Sequence, residues 1–205
     1  MNGQPLRAPS RFGWADGAAA LGKNTKRKTT APMKSPKNKF EEESALYRTS
    51  IDISADSRLN LNALMNLRLA SAIDLQLQVK QAHWNVKGPH FIALHELFDR
   101  VAEAVGGYAD LIAERIVQLG GIAEGTVRVC AARTKLAEYP LEQADGVSHV
   151  AALALALSTF GHEVRSTIHE MNELDDAGSA DMFTEISRGI DKWLWFVEAH
   201  NQAAQ

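Results

Sequence analysis

Between Leu61 and Leu77, apolar side chains return at Leu61, Leu64, Met65, Leu69, Ala72, Ile73 and Leu77. Steps of three and four residues place them on one face of an α-helix and on no face of a strand. The pattern repeats. After Gly88-Pro89, a strong helix breaker, a second stripe runs through Leu94, Leu97, Phe98, Val101, Val105, Tyr108, Ile112 and Leu119 and stops at Gly120-Gly121. Gly106-Gly107 lies inside this stripe at a cost of roughly 1 kcal/mol per glycine. The helix is still expected to continue, closely approached or bent at that point. A third helix is expected over about 147–175, with Asp145 or Ser148 as N-cap. A fourth is expected over about 179–202, opening on Ser179 with Asp181 in its first turn, where an acid suits the helix dipole. No segment alternates as a half-buried strand would. The fold class is all-α.

Loop lengths then limit the topology. The first two helices are joined by a short link, as are the last two, so each pair is an antiparallel hairpin. Between the hairpins lie roughly 25 residues, including Tyr139-Pro140. The second helix should be about 43 Å long, and a connection of that size is what a return between parallel helices needs. Two hairpins joined by one long crossover, with room for a short helix of its own, make a ferritin-like four-helix bundle. Leu59, Leu67, Leu75 and Val79 form a second apolar set on the first helix. A helix apolar on two sides is expected to pack in the bundle and also against another subunit.

The charge is divided unevenly. Residues 1–40 hold nine Lys/Arg and one acid, while the remainder holds thirteen Lys/Arg and twenty-four acids. Four of the six prolines fall in the basic part, which has no helical stripe. Residues 1–45 are therefore expected to be a disordered basic arm, and residues 46–205 the bundle domain. No apolar run of about 18 residues suggests a membrane span. The N-terminal stretch lacks the apolar core of a secretory signal. Cys130 is the only cysteine, which leaves no intrachain disulfide. A reducing cytoplasm is the expected location.

Three of the seven histidines stand between residues 83 and 95, in "HWNVKGPHFIALH", and Asp99 follows four residues later. His95 and Asp99 share a helix face, as do Asp110 and Glu114 further along. His83, near the end of the first helix, can reach the start of the second across the hairpin. Imidazole with carboxylate suits Fe, Zn or Mn rather than Ca. Fifteen residues separate His95 from Asp110, roughly 22 Å of helix. Metal–ligand bonds of about 2 Å cannot span that within one chain. Either the chain carries two half-sites, or a two-fold axis brings His83, His95 and Asp99 against Asp110 and Glu114 of another copy. The doubly apolar first helix favours the second arrangement. No glutamate is followed at +3 by histidine, so the Glu-x-x-His signature of a di-iron centre inside one bundle is missing.

"KQAHWNVKGPHFIALHELFD" followed by "YADLIAERIVQLGG" resembles the signature of the Dps family, the bacterial mini-ferritins that protect DNA. The spacing His-x11-His-x3-Asp-x10-Asp-x3-Glu is similar to that family's inter-subunit ferroxidase ligands, and "DKWLWFVEAH" resembles its last helix. The resemblance spans about residues 50–202. It implies a dodecameric shell in which Fe(II) is bound by His83, His95, Asp99, Asp110 and Glu114 at two-fold interfaces. There it would be oxidised to Fe(III), by hydrogen peroxide in preference to dioxygen, and stored as ferric mineral. It also implies a radical-intercepting position for Trp84, whose alternative is an aromatic anchor of the hairpin. Asp176 and Asp181 would line three-fold pores, although Ala177-Gly178 stands where family members usually carry more acids.

His90, in the hairpin turn, reads as a surface or supporting residue. His162, His169, Glu170 and Glu173 read as a solvated or interior-facing surface, with mineral nucleation as the alternative. Lys23, Lys26, Arg27, Lys28, Lys34, Lys37 and Lys39 could bind DNA without reading sequence, by counterion release. Twelve arms on one shell would add avidity, and such binding would associate the shell with the nucleoid. Two function classes follow: an iron-oxidising store, or a structural nucleoid-compacting protein with a vestigial metal site.

Overall fold

The computed structural model describes residues 46–202, and the expected arm lies outside them. Five helices follow in order: α1 (Ala55–Asn85), α2 (Phe91–Gln118), α3 (Val127–Arg133), α4 (Gly146–Glu173) and α5 (Ala177–Gln202). No strand forms among the described residues, and no helix there is long and apolar enough to cross a membrane. α1 packs along α2 and α4 along α5, and the hairpins meet through α1 with α4 and α2 with α5. The crossover between them contains α3, which lies against α1.

The helix ends follow local chemistry. Ser54 caps α1, its hydroxyl accepting from the Ser57 amide at 3.1 Å. Asp145 rather than Ser148 caps α4, accepting from the Ser148 amide at 2.9 Å. α5 begins two residues before the expected Ser179 because Asp176 is its cap, accepting from the Ser179 amide at 3.0 Å. The intervening turn places Asp175 at φ 57°. α2 runs unbroken through Gly106-Gly107, and a Cβ on Gly106 would meet the Gln76 side chain of α1. The glycine permits that close approach. At the end of α2, Gly120 adopts φ 80° and accepts a hydrogen bond from the Tyr47 amide at 2.7 Å. Arg58 donates to the Leu119 carbonyl at 3.0 Å, satisfying another free end of that helix.

The core sits between the four long helices, with Phe98, Phe160 and Phe183 wholly buried. Each such aromatic or leucine contributes about 1.5–3 kcal/mol by leaving water. The second apolar set expected on α1 is divided: Leu75 and Val79 belong to the core, Leu67 is half-buried and Leu59 exposed, while Leu77 of the first stripe is exposed as well. A row of polar side chains occupies the other side of α1 and holds the crossover. Asn66 bonds the Ile122 carbonyl and the Glu124 amide, Asp74 accepts from Thr134, and Gln78 bonds the Ala137 carbonyl. Crossover backbone packed on a helix needs partners for its amides and carbonyls, and these side chains supply them.

Candidate metal centre

The α1–α2 hairpin builds the centre. Gly88 takes φ 110°, which lets the chain reverse within five residues and sets the last turn of α1 beside the first turns of α2. His83 and His95 meet across this turn with ring centroids 3.8 Å apart and planes 21° from parallel. His83 Nδ1 lies 2.8 Å from the His95 carbonyl, and His95 Nδ1 lies 2.9 Å from the His83 carbonyl. A carbonyl can only accept, so each imidazole donates from Nδ1 and keeps its lone pair on Nε2. The tautomer suited to metal binding is thereby set twice, each residue fixing the other. Phe91 leans on the His95 ring at 5.0 Å.

Asp99 stands on the next turn of α2, with Oδ1 3.9 Å from His83 Nε2. That oxygen already accepts from Lys80 Nζ at 2.6 Å. The Lys80 ammonium, with smaller help from the two histidines, holds the Asp99 carboxyl below the usual range. Lys80 escaped the sequence reading, although one helical turn before His83 is where a competing cation would stand. Asp110 and Glu114 are exposed on α2, fifteen and nineteen residues beyond His95. Among the described residues, no three His, Cys, Asp or Glu side chains of one chain gather closely enough to hold an ion. The structure thus stacks His83 on His95, sets Asp99 on the adjoining turn, and leaves Asp110 and Glu114 further along α2.

Residues 62–205 match the model of the ferritin-like domain. A "DNA protection during starvation protein" of Agrobacterium fabrum is 42% identical over 156 residues, covering 76% of this chain and 96% of the relative. The chain belongs to the Dps family. Among solved Dps structures, a tetragonal form from Mycobacterium smegmatis matches with a TM-score of 0.72 and 34% identity, over 75% of this chain and 94% of that one. DpsA14 from Streptomyces coelicolor matches with a TM-score of 0.71 and 36% identity, over 74% and 90%. The ferritin-like fold and the Dps resemblance expected from the sequence both hold.

The remaining candidates are placed less uniformly. Trp84 is 64% exposed, with Lys80 Nζ 5.9 Å from its ring centroid, so it is a surface residue and not a core anchor of this chain. Asp176, read as a pore acid, is 3% exposed and engaged by Arg115 at 2.8 and 3.0 Å and by the Ser179 hydroxyl. Its charge is spent on capping α5 and neutralising Arg115, so it offers no free acid to a pore. Asp181 is exposed. His90 is exposed at the start of α2 and makes no side-chain cap bond. His162 and His169 are exposed on α4, and Glu170 accepts from Ser166 at 3.0 Å. Lys23, Lys26, Arg27, Lys28, Lys34, Lys37 and Lys39 lie outside the described residues.

Proposed function

We propose that the protein is a ferroxidase and iron store of the Dps type. Fe(II) is its substrate, held by His83, His95 and Asp99 of one chain together with Asp110 and Glu114 of the partner subunit. The observation that carries this reading is the mutual locking of His83 and His95, which leaves both Nε2 lone pairs free. A set of two imidazoles and three carboxylates matches the ligand preference of Fe(II). Asp99 must release Lys80 as iron binds, one cation replacing another. Two Fe(II) then reduce one hydrogen peroxide, with two protons, to two Fe(III) and two waters, so no hydroxyl radical is set free. With only two imidazoles in the set, ferric ion can move on to hydrolyse and be stored inside a closed shell. The relatives' name, DNA protection, fits such a sink for iron and peroxide, and the basic arm would add non-specific DNA contact.

Subunit mixing tests the shared site. His83→Ala/His95→Ala protein and Asp110→Ala/Glu114→Ala protein are each made inactive, then dissociated and reassembled together. In an isologous dimer of one of each, one site regains all five ligands and the other keeps only Asp99. A one-to-one mixture should recover about one quarter of the wild-type rate of Fe(II) oxidation. No recovery from properly reassembled shells would eliminate the shared site.

A second reading is favoured by the grip of Lys80 on Asp99. A carboxylate already paired with a cation is what a disused site would show, and the protein would then act as a nucleoid-compacting structural protein. The histidine double variant separates the two: peroxide protection of DNA survives in it only if the metal site is idle.

A further inference from the structure

Tyr139 in the crossover and His149 in the first turn of α4 form a buried pair outside the candidate metal centre. The phenol oxygen lies 2.6 Å from His149 Nδ1. His149 is 1% exposed and Tyr139 7%. Burial raises the phenol's pKa above its ordinary value and lowers that of the imidazole, so at neutral pH both are uncharged. The phenol therefore donates to the Nδ1 lone pair, and the ring's own proton is on Nε2. That nitrogen closes no hydrogen bond, although the carbonyls of Asn85 and Gln143 lie against the ring. Charged neighbours of the ring are Asp145 from the α4 cap and Lys87 from the hairpin. Asn85 ends α1 two residues after His83, about 3 Å further along the axis. A cleft of about 320 Å³ has Tyr139, Gln143 and Gln78 among its lining residues.

We propose that Tyr139 is a redox-active phenol and His149 its proton acceptor, together quenching one-electron oxidants that escape the Fe(II) and peroxide reaction. The proposal rests on the ferroxidase reading for its oxidant. A single Fe(II) meeting peroxide yields Fe(III), hydroxide and a hydroxyl radical. The Tyr139 O–H bond then breaks, its electron reduces that radical to hydroxide, and its proton crosses to His149 Nδ1. A neutral phenoxyl and an imidazolium result. A further Fe(II) returns the electron and His149 returns the proton, leaving one more Fe(III) and the pair restored. Without His149 the oxidised phenol would be a buried cation, which a low-dielectric interior strongly disfavours. With it, the charge arrives on a ring that has the Asp145 carboxylate as well as the Lys87 ammonium in its neighbourhood. Burial also shields the phenoxyl from other molecules, which exposed Trp84 cannot do.

The test loads the assembled protein with Fe(II) without oxygen, adds hydrogen peroxide, and freeze-quenches it for electron paramagnetic resonance while ferric absorbance is followed in parallel. A tyrosyl signal is expected, lost at least tenfold in Tyr139→Phe and reduced several-fold in His149→Gln. It must persist in Tyr47→Phe/Tyr108→Phe, where Tyr139 is the sole tyrosine. Rapid ferric formation in the wild type without a tyrosyl signal, or a signal that survives in Tyr139→Phe, overturns the proposal and leaves the ferroxidase reading standing. Slow ferric formation instead overturns the ferroxidase reading. Flash-quench oxidation by a ruthenium polypyridyl with persulfate then decides the pair: a Tyr139 radical dependent on His149 sustains its redox role, and none overturns it.

Discussion

His83 and His95 each give the Nδ1 proton to the other's main-chain carbonyl, at 2.8 and 2.9 Å, so neither ring is oriented independently of its partner. Replacing one ring by alanine leaves its carbonyl in place, so the other ring keeps its Nδ1 bond and loses only the stacked neighbour. His83→Ala and His95→Ala should each slow Fe(II) oxidation by about 10–100-fold, and the double variant should be slower than either, because the surviving imidazole stays oriented. Stopped-flow absorbance of the ferric product checks this, with sedimentation confirming that assembly is retained. A double variant no slower than either single one would mean that the surviving ring does not serve as a ligand on its own.

Lys80 occupies the Asp99 oxygen that iron would take. Lys80→Met should tighten Fe(II) or Co(II) binding severalfold by removing the competing cation. Calorimetric titration without oxygen measures it. Weaker binding would show that Lys80 supports the site.

Asp176 supplies a dependence on acid. Burial alone would raise its pKa, but the Ser179 hydroxyl and amide and the Arg115 guanidinium outweigh burial and hold it below the ordinary value. A depressed folded pKa contributes stability that is fully present above the unfolded value of about 3.9 and is lost as pH falls through the folded value. Melting temperature should therefore drop below about pH 4 more steeply in the wild type than in Asp176→Asn. At neutral pH, Asp176→Ala should cost about 3 kcal/mol, because Arg115 is left without its partner. Parallel thermal melts across pH read both effects.

Gly120→Ala places a Cβ against the Tyr47 carbonyl at a positive φ. The left-handed backbone alone should cost about 1–2 kcal/mol. Denaturant unfolding should show the loss, while Fe(II) oxidation by the folded fraction is unchanged.

Deleting residues 1–40 removes nine of the chain's cations. If the arm carries DNA binding, the gel shift disappears on deletion, and in the full chain it weakens by roughly 10³-fold between 50 and 200 mM salt. A shift that survives deletion would move DNA binding onto the acidic body.

Much of the bundle was legible because its signals are local. The stripe from Leu94 to Leu119 fixes a helix whatever surrounds it, and Gly88-Pro89 ends its predecessor within a few residues. The α5 boundary was misjudged by two residues because Ser179 and Asp176 are both good caps. Only the arrival of Arg115 from α2, sixty-one residues away, shows which of them the fold uses. The polar side of α1 was hidden for a similar reason. Asn66, Asp74 and Gln78 look like solvated polar residues until the crossover arrives 56 to 60 residues later to bond them.

The sequence by itself determined the helices, the breakers, the types of metal-binding side chain and their spacing, since each depends on neighbours within a turn or two. It also determined that histidines and distant acids on one rigid helix cannot share an ion within a chain, because the rise of a helix is constant. Tertiary structure alone decided which imidazole nitrogen is left open, that Lys80 holds Asp99, that Asp176 is spent on Arg115, and that Tyr139 meets His149. Those outcomes depend on hydrogen bonds of a few ångströms between segments that only folding brings together, and no periodicity along the chain encodes a distance that short.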